Sequence, residues 1–312
     1  MPNIPDLVRP STRAFIREAR RTVGYSWFDL VHGYVYGRWC YLYIKIGTGE
    51  HRLTPLVRTL GQLFVRIRRP FASADKSRPT MADNYHGKVV SLDAARQLVS
   101  VKQDISMTDL EQVIPYPCAR EIVLQNPDHI VVLECPCRSA RANPCLPLDV
   151  CLTIGEPFAS FILEHHPQRA RQISPEEAEG ILTEVRQRGH VSHAFFKDAM
   201  FGRFYAICNC CSCCCGAMQA HRNGTPMLAS SGYVAEVVEE QCQGCGTCVS
   251  LCQFGALTLA PHGVVVVDRI ACMGCGVCEY HCPHGAISLQ RDRTRGQPLD
   301  LARLIQDQAP CV

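Results

Sequence analysis

The residues best suited to chemistry are cysteines near the end of the chain, where two short runs share one spacing. The first run, at 242–252, reads CQGCGTCVSLC, and the second, at 272–283, reads CMGCGVCEYHCP. Both follow C-x2-C-x2-C-x3-C, in which a thiolate at every third residue lets three sulfurs wrap around one cuboidal iron–sulfur cluster. The fourth cysteine then reaches the other cluster. A zinc site would use paired C-x2-C knuckles, often with histidine, so each run has one cysteine too many for zinc.

Glycines between these cysteines suit the same chemistry. Gly244 and Gly246 lie in the first run, and Gly274 and Gly276 lie in the second. Residues without a Cβ tolerate the positive φ angles and close backbone approach that a cluster-binding loop needs. Backbone N–H groups of such loops can point at cluster sulfurs and help to set the potential. Each half also contains a short β segment, YVAEVVE or GVVVVD, so the two runs form an internal repeat.

Residues 232–289 resemble a bacterial 2[4Fe–4S] ferredoxin domain through these two runs. The resemblance implies one cluster on Cys242, Cys245, Cys248 and Cys282. It implies a second cluster on Cys272, Cys275, Cys278 and Cys252. The family usually has proline after each fourth cysteine, and Pro283 follows Cys282, but Gln253 follows Cys252. This departure affects the local turn and the potential of the second cluster.

The cysteine content of the whole chain needs a chemical explanation, because 21 of its 312 residues are cysteine. An oxidising compartment would convert such an inventory into disulfides, whereas a reducing one leaves thiolates for metal. The stretch MPNIPDLVRPSTRAF has neither an apolar h-region nor a small-residue cleavage site, so we expect a cytoplasmic protein. No apolar run approaches the roughly 20 residues of a membrane-spanning helix.

A second group of ten cysteines lies in the middle of the chain. Residues 130–151 read IVVLECPCRSARANPCLPLDVC, and residues 208–215 read CNCCSCCC, which we call the octad. The candidate ligands are Cys135, Cys137, Cys145, Cys151, Cys208, Cys210, Cys211, Cys213, Cys214 and Cys215. The run IVVLE predicts a buried strand that ends at Pro136, with the C-P-C thiols on one side of an extended segment. Spacing slightly favours Cys135, Cys137, Cys208 and Cys210, since both pairs follow strand-like runs in C-x-C form.

Metal is the natural partner of these thiols, because adjacent thiolates repel one another unless a cation neutralises them. We expect at most four of the octad's six thiols to bind metal, in one or two further Fe–S clusters beyond the two [4Fe–4S] clusters. Zinc and redox-active or inert thiols are the alternatives. More loosely, CPCR and ICNCCSCCC ahead of the dicluster region resemble multi-cluster ferredoxin-domain proteins of anaerobic bacteria. In that family such modules pass electrons among oxidoreductase subunits.

Helices are predicted around the cysteine segments. The clearest runs from an N-cap at Ser174, with Pro175 at its first position, to a stop at Gly189. Others are predicted to begin near Ser91 and Thr108. Four histidines also lie in this region, and we expect surface or capping roles for them because neither carboxylate nor cysteine accompanies them at metal-site spacing. They are His165, His166, His190 and His193.

The N-terminal 70 residues are basic, with 12 Lys and Arg against 4 Asp and Glu, and residues 25–43 hold eight aromatics. An apolar stripe predicts an amphipathic helix over 53–67 with arginines on its opposite side. Contact of residues 25–69 with a membrane interface, docking to a partner subunit and coverage of the protein's own core are the three alternatives. Nucleic-acid binding is not expected, because no reading module accompanies the basic residues.

The predicted fold class is α+β, with a ferredoxin-like dicluster domain appended to a Cys-rich α/β domain and a helical N-terminal arm. The predicted domains are a docking arm (1–70), a linker (71–87), the Cys-rich domain (88–231), the ferredoxin domain (232–290) and a tail (291–312). We expect an electron-transfer protein that serves a partner oxidoreductase. The alternatives are an oxidoreductase whose active site is the octad and a scaffold whose clusters only staple the fold. Against the enzyme, no dinucleotide fingerprint is present.

Overall fold

A computed structural model of the chain describes residues 8–57, 59, 81–108, 110–118 and 120–308. The labelled helices are α1 (Pro10–Arg21), α2 (Trp27–Arg38), α3 (Cys40–Gly47), α4 (Met81–Asn84), α5 (Leu92–Val99), α6 (Pro136–Ser139), α7 (Phe158–His165), α8 (Pro175–Gln187), α9 (Gly216–Arg222), α10 (Thr247–Leu251), α11 (Val277–Tyr280) and α12 (Leu301–Gln308). The strands are β1 (Tyr85–Val89), β2 (Ile105–Met107), β3 (Ile122–Glu134), β4 (Asp149–Glu156), β5 (Ala170–Ile173), β6 (Val191–Lys197), β7 (Arg203–Cys210), β8 (Leu228–Ala229), β9 (Tyr233–Val237), β10 (Leu257–Leu259), β11 (Val265–Val267) and β12 (Ile287–Arg291). Short 3-10 turns cover Asp198–Met200, Glu239–Gln241 and Arg293–Arg295.

An eight-stranded sheet forms the middle of the molecule, in the order β2-β3-β4-β7-β6-β1-β8, with β5 also paired to β3. Its pairs are antiparallel except for β1 with β8. The register of β3 against β4 shifts between Gln125 and Ile130, and the two halves of β3 pair with β2 and β5. A bulge of this kind bends a strand and increases its twist. The sheet therefore curls around the side chains that it buries.

Helix α8 confirms the prediction made from its capping residues. The Ser174 hydroxyl accepts a hydrogen bond from the Glu177 N–H over 3.2 Å, and Gly189 ends the helix with a φ of 75°. Its buried face carries Ala178, Leu182 and Val185, which pack towards the sheet. The helix thus lies against the sheet whose strands β3 and β7 lead into the two cysteine segments.

The N-terminal helices cover the core of the middle domain. Phe15 of α1 is 1% exposed, and its ring centroid lies 4.6 Å from that of Phe201 and 5.2 Å from that of Phe161. In α2, a Cβ on Gly37 would come within 2.8 Å of the Phe161 ring, so the glycine allows close approach. Most of the amphipathic helix predicted over 53–67 lies outside the described residues. In the part of the chain that the structure describes, no helix is long and apolar enough to cross a membrane.

Several local predictions differ from the structure. Pro136 begins the short helix α6, so the C-P-C segment is a helix start and not an extended strand end, as proline at the first helical position allows. No helix begins near Thr108 among the described residues, which form turns over 110–118, where Pro115 and Pro117 oppose a helix. The predicted linker at 71–87 includes α4 and much of β1, a strand within the sheet.

The four histidines are buried, which contradicts the predicted surface role, whereas the predicted capping role is confirmed for His166, the C-cap residue of α7. His165 and His166 end α7 under the N-terminal helices, where they contact the Thr12 hydroxyl at 2.9 Å and the Gly37 carbonyl at 2.7 Å. His193 lies within β6 at the centre of the sheet. Burial of these residues depends on the docking of distant elements, which local spacing does not report.

The C-terminal domain is built as two similar halves. Strands β9 and β12 pair antiparallel, as do β10 and β11, so both predicted β segments are confirmed. Helices α10 and α11 each follow a left-handed glycine, Gly246 or Gly276, with φ angles of 73° and 76°. Helices and strands therefore occur together throughout an α+β molecule.

Candidate metal centres

The eight cysteines of the C-terminal domain gather into two groups that cross between the two runs. Burial raises the pKa of Cys248, and the nearby thiols of Cys245 and Cys282 raise it further. The pKa of Cys278 is also raised by burial and then by other thiols, which belong to Cys275, Cys272 and Cys252. Cys282 thus lies near Cys248 of the first run, and Cys252 lies near Cys278 of the second, as a crossed pattern predicts.

Backbone amides point at sulfurs in both halves. The Ala256 N–H donates to the Cys252 Sγ and the Ala286 N–H to the Cys282 Sγ, each over 3.3 Å and each from four residues further along the chain. The Ala235 N–H donates to the Cys272 Sγ over 3.4 Å. Hydrogen bonds of this kind favour thiolates over thiols, because the charged sulfur is the better acceptor. The donor set and the thiol grouping together fit two [4Fe–4S] clusters.

Two glycines bring the cysteine loops against other backbone. The φ angles of Gly244 and Gly274 are 61° and 63°. A Cβ on either would lie 2.2 Å from a carbonyl oxygen, that of Gly263 or Tyr233 respectively. Any side chain would displace the loop, so these positions require glycine for the reason anticipated from the sequence.

A buried arginine of the middle domain reaches the second group of thiols. Arg186 of α8 is 2% exposed, and its Nη1 donates to the Cys275 carbonyl over 2.5 Å. Burial lowers the pKa of Arg186, and the adjacent Cys275 and Cys278 thiols oppose that shift. Its backbone carbonyl also contacts the His281 Nε2 at 2.9 Å. Arg186 therefore brings positive charge to the second cluster position and ties α8 to the ferredoxin domain.

The ten candidate cysteines of the middle domain separate into two sets. The first, which we call the four-thiol site, contains Cys145, Cys211, Cys213 and Cys214, whose Sγ atoms all lie within 4.8 Å of one another. The Cys213 Sγ is 3.1 Å from that of Cys145 and 3.7 Å from that of Cys214. Burial opposes ionisation of Cys213, but hydrogen bonds from the three other thiols lower its pKa below the ordinary value.

The other six thiols form what we call the six-thiol chamber. Its members are Cys135, Cys137, Cys151, Cys208, Cys210 and Cys215. In the order Cys208, Cys151, Cys135, Cys137, Cys215 and Cys210, each thiol perturbs the pKa of the next. They line a cavity of about 80 Å³, which Cys40, Cys211 and Cys214 also line and whose remaining walls are mainly aromatic and aliphatic. The pairing of β4 with β7, which places Cys151 opposite Cys208, brings the two segments together.

All four cysteines favoured by spacing therefore lie in the six-thiol chamber, and the four-thiol site draws on the others. The chamber takes three thiols from each cysteine segment, whereas the four-thiol site takes one from 130–151 and three from the octad. Cys210 and Cys211 are contiguous but belong to different sets, as do Cys214 and Cys215, so neighbouring thiols of the octad are divided between the two sets.

A buried guanidinium borders the chamber. Arg138, 1% exposed, donates through Nη1 to the Pro147 carbonyl over 2.5 Å and through Nη2 to the Asn209 carbonyl over 2.9 Å. Its Nη2 is also 3.0 Å from the His190 Nδ1, and its Nε has no partner. These acceptors carry no negative charge, yet a buried cation is costly without one. Thiolates lining the chamber would supply the missing counter-charge.

Sequence reasoning missed three residues at these centres. Arg138 follows the C-P-C motif directly, so its position in CPCR was the available signal. Cys40 also lines the chamber cavity, and its Sγ lies 3.6 Å from the His166 Nε2. Neither Cys40 nor Arg186 has a local pattern that relates it to a cysteine motif, because each is brought there by the packing of a separate helix.

A larger pocket adjoins the chamber. It has a volume of about 540 Å³, and Cys137, Tyr36 and Tyr85 line both spaces. Lys197 lies on its wall, with Nζ 4.9 Å from the Tyr36 ring centroid and 4.8 Å from that of Tyr85. Burial lowers the pKa of Lys197 to about 8, although Asp198 opposes the shift. The pocket thus combines aromatic surface, a desolvated amine and access to a chamber thiol.

One side chain joins the octad to the ferredoxin domain. The Ser212 N–H donates to the Gln253 Oε1 over 2.8 Å, and the Gln253 Nε2 donates to the Gly189 carbonyl over 3.0 Å. Gln253 directly follows Cys252 and occupies the position where the ferredoxin family usually has proline. The departure noted in the sequence is therefore a contact between the two domains.

Comparison with protein families agrees with this geometry. A family model described as a 4Fe-4S dicluster domain matches residues 241–286. The chain therefore contains a ferredoxin-like dicluster domain that binds iron–sulfur clusters. Comparison of the chain with curated protein sequences finds no match.

Proposed function

We propose that this protein is an iron–sulfur electron carrier. In this proposal single electrons pass between the cysteine sites of the middle domain and two [4Fe–4S] clusters, and then to a partner oxidoreductase. The observation that carries it is the hydrogen bond between Ser212 and Gln253, because it joins the octad to the residue after Cys252. The anaerobic multi-cluster proteins named above provide a precedent.

The proposed ligands are the two crossed sets, with Cys242, Cys245, Cys248 and Cys282 for one cluster and Cys252, Cys272, Cys275 and Cys278 for the other. When bound, the clusters supply the capacity to accept and release one electron at a time. The protein's own contribution is to hold the thiolates, to direct amide N–H groups at them and to bury Arg186 beside the second set. Each of these features favours negative charge on sulfur.

Gln253 has a particular part in this proposal. Its side chain provides an acceptor for the Ser212 N–H, which lies between Cys211 and Cys213 of the four-thiol site. A proline there would supply neither this acceptor nor the donor to Gly189. The path from the four-thiol site to Cys252 therefore runs through covalent bonds except for the single hydrogen bond between Ser212 and Gln253.

The test compares the rate of internal electron transfer in three proteins. Gln253→Ala removes the contact, Gln253→Pro restores the usual family residue without it, and Gln290→Ala changes an exposed glutamine of the same domain as a control. After anaerobic photoreduction of the ferredoxin clusters, we expect slower reduction of the middle-domain sites in both Gln253 variants and no change in the control. An unchanged rate, with iron and sulfide contents also unchanged, would contradict the proposed path.

The pocket beside the chamber favours a second candidate function, an oxidoreductase with its own Fe–S active site. The specific observation is that Cys137 lines a pocket of about 540 Å³. A carrier needs no such space. Turnover of a small substrate by the purified protein with only an artificial electron donor, lost in Lys197→Met, would favour this enzyme over the carrier.

For the partner, we propose a redox protein that covers exposed aromatic side chains at the start of α2. Trp27 and Phe28 are 77% and 74% exposed, and Phe28 also lines the pocket beside the chamber. Large exposed aromatics are common at protein interfaces. The double variant Trp27→Ser and Phe28→Ser should weaken reduction by the partner without changing cluster content. Binding of the wild type to anionic lipid vesicles, lost in the double variant, would favour the membrane alternative instead.

A further inference from the structure

The four-thiol site is more compact than either cysteine set of the ferredoxin domain. All four of its Sγ atoms lie within 4.8 Å of one another, and no other described group of three or more Cys, His, Asp or Glu residues is grouped so closely. Both ferredoxin sets belong to the described residues, so they provide an internal comparison. The two kinds of site are therefore built to different dimensions.

The number of metal atoms explains such a difference. Four thiolates on one tetrahedral ion, with metal–sulfur bonds of about 2.3 Å, lie about 3.8 Å apart. Four thiolates on a cubane each bind a different iron and must stand further apart. The Cys213 Sγ is 3.1 Å from that of Cys145 and 3.7 Å from that of Cys214. These separations are closer to those of a single ion than to those of a cubane.

The loop that carries three of the ligands is held by its backbone carbonyls. Arg222 donates to the Ser212 carbonyl over 3.0 Å, and Gln219 donates to the Cys213 carbonyl over 2.8 Å. Arg141 donates to the Cys214 carbonyl over 3.1 Å. The Cys215 N–H closes the loop onto the Cys211 carbonyl, also over 3.1 Å. Such a fixed loop preorganises the thiols for a small coordination sphere.

The charges around this loop also favour a single metal ion. A divalent ion with four thiolates has a formal charge of −2. The guanidinium groups of Arg141 and Arg222 are hydrogen-bonded to the loop itself, and Arg141 is also paired with Glu50. These two cations lie where a dianionic site would be stabilised.

We propose that Cys145, Cys211, Cys213 and Cys214 bind one thiophilic metal ion, zinc or iron, in a tetrahedral tetrathiolate site. The proposal deepens the function above, since an iron here would stand beside the Ser212–Gln253 contact, but it does not depend on electron transfer. A zinc ion at the same place would brace the octad against the 130–151 segment through Cys145. The six thiols of the chamber are not among its ligands, although Cys211 and Cys214 also line the chamber cavity.

The test measures metal and acid-labile sulfide in the full chain purified without oxygen. Cys145 and Cys213 are the less buried ligands, so the variant Cys145→Ala with Cys213→Ala leaves the buried core intact. Cys118→Ala is the control, because Cys118 belongs to neither middle-domain set. We expect the double variant to lose about one zinc or iron atom per chain and no sulfide, and the control to lose neither.

Loss of about four iron and four sulfide in the double variant would overturn the proposal in favour of a cubane, and loss of no metal would overturn the site itself. The wild type offers a measurement that needs no variant. Its total of iron and zinc should exceed sulfide by about one atom per chain, and a zinc site should show sulfur neighbours at about 2.3 Å by X-ray absorption. If electron transfer fails while this excess remains, only the relay is contradicted.

Discussion

The backbone N–H of Ser212 donates a 2.8 Å hydrogen bond to the Oε1 atom of Gln253. Ser212 lies among the thiols of the octad, and Gln253 follows a cysteine of the dicluster domain, so two cysteine-rich regions that are distant in sequence share one contact. Arg186 and His281 join the same two domains nearby. The octad is thereby connected with the ferredoxin domain, and both can be probed by single substitutions.

Replacement of Arg186 by methionine should lower the reduction potential of the cluster beside Cys275, because a buried positive charge that favours the reduced state is lost. It should also lower the free energy of unfolding by about 1–3 kcal/mol, since the Cys275 carbonyl loses its buried donor. Redox titration followed by EPR and thermal unfolding check the two effects. Arg188→Met is the matched control, because Arg188 is half exposed and forms its ion pair with Glu184 of α8. Equal effects of the two variants would be evidence against this role of Arg186.

The amides of Ala256 and Ala286 should tune one cluster each. Ala256→Pro removes the donor to the Cys252 Sγ, and Ala286→Pro removes the donor to the Cys282 Sγ. A net hydrogen bond of about 1 kcal/mol corresponds to roughly 40 mV for a one-electron couple. Each variant should therefore lower the reduction potential of one cluster by an amount of that order and leave the potential of the other cluster unchanged. If either variant shifted both potentials equally, the assignment of each amide to one cluster would be wrong.

Arg138→Met should destabilise the metal-loaded protein more than the metal-free protein. If the chamber holds metal, its thiolates would be the counter-charge of the guanidinium, and breaking a buried charge pair costs about 3–5 kcal/mol. Without metal, the thiols are neutral and only hydrogen bonds to carbonyls and His190 are lost. Thermal unfolding before and after chelation of the metal measures the difference in destabilisation. Arg138→Lys keeps the positive charge, so it should destabilise the metal-loaded protein less than Arg138→Met does. Equal losses in the two states would show that Arg138 is not a counter-charge for the chamber.

His165 should make the protein sensitive to acid. Burial first, and then Arg38 and Arg9, lower its pKa from 6.5 to about 4. Between these values the unfolded chain binds a proton that the folded chain does not, so stability is complete above pH 6.5 and declines as the pH falls towards 4. His165→Gln should flatten this part of the stability profile, measured by chemical denaturation from pH 4 to 7. The exposed His262→Gln is the control, and an unchanged slope in His165→Gln would contradict the explanation.

Local patterns were reliable where the relevant contacts lie close in sequence. The dicluster domain follows from two cysteine runs and their glycines, since a cluster loop is specified within about ten residues, and the family match at 241–286 agrees. Helix α8 was likewise visible in its capping residues. The same reasoning failed after Thr108, where a capping pattern was overridden by the two prolines that follow.

The sequence alone thus determined that this chain has a ferredoxin-like domain, an α8 scaffold and ten further thiols in need of a cation. Only the tertiary structure decided how those thiols divide. Pairing of β4 with β7 and the turn of the octad place six around the chamber and four within 4.8 Å of one another. Folding also brought Arg138, Arg186 and Cys40 to these centres and placed Gln253 against Ser212. Spacing along the chain cannot report such contacts, because they arise from the packing of elements far apart in sequence.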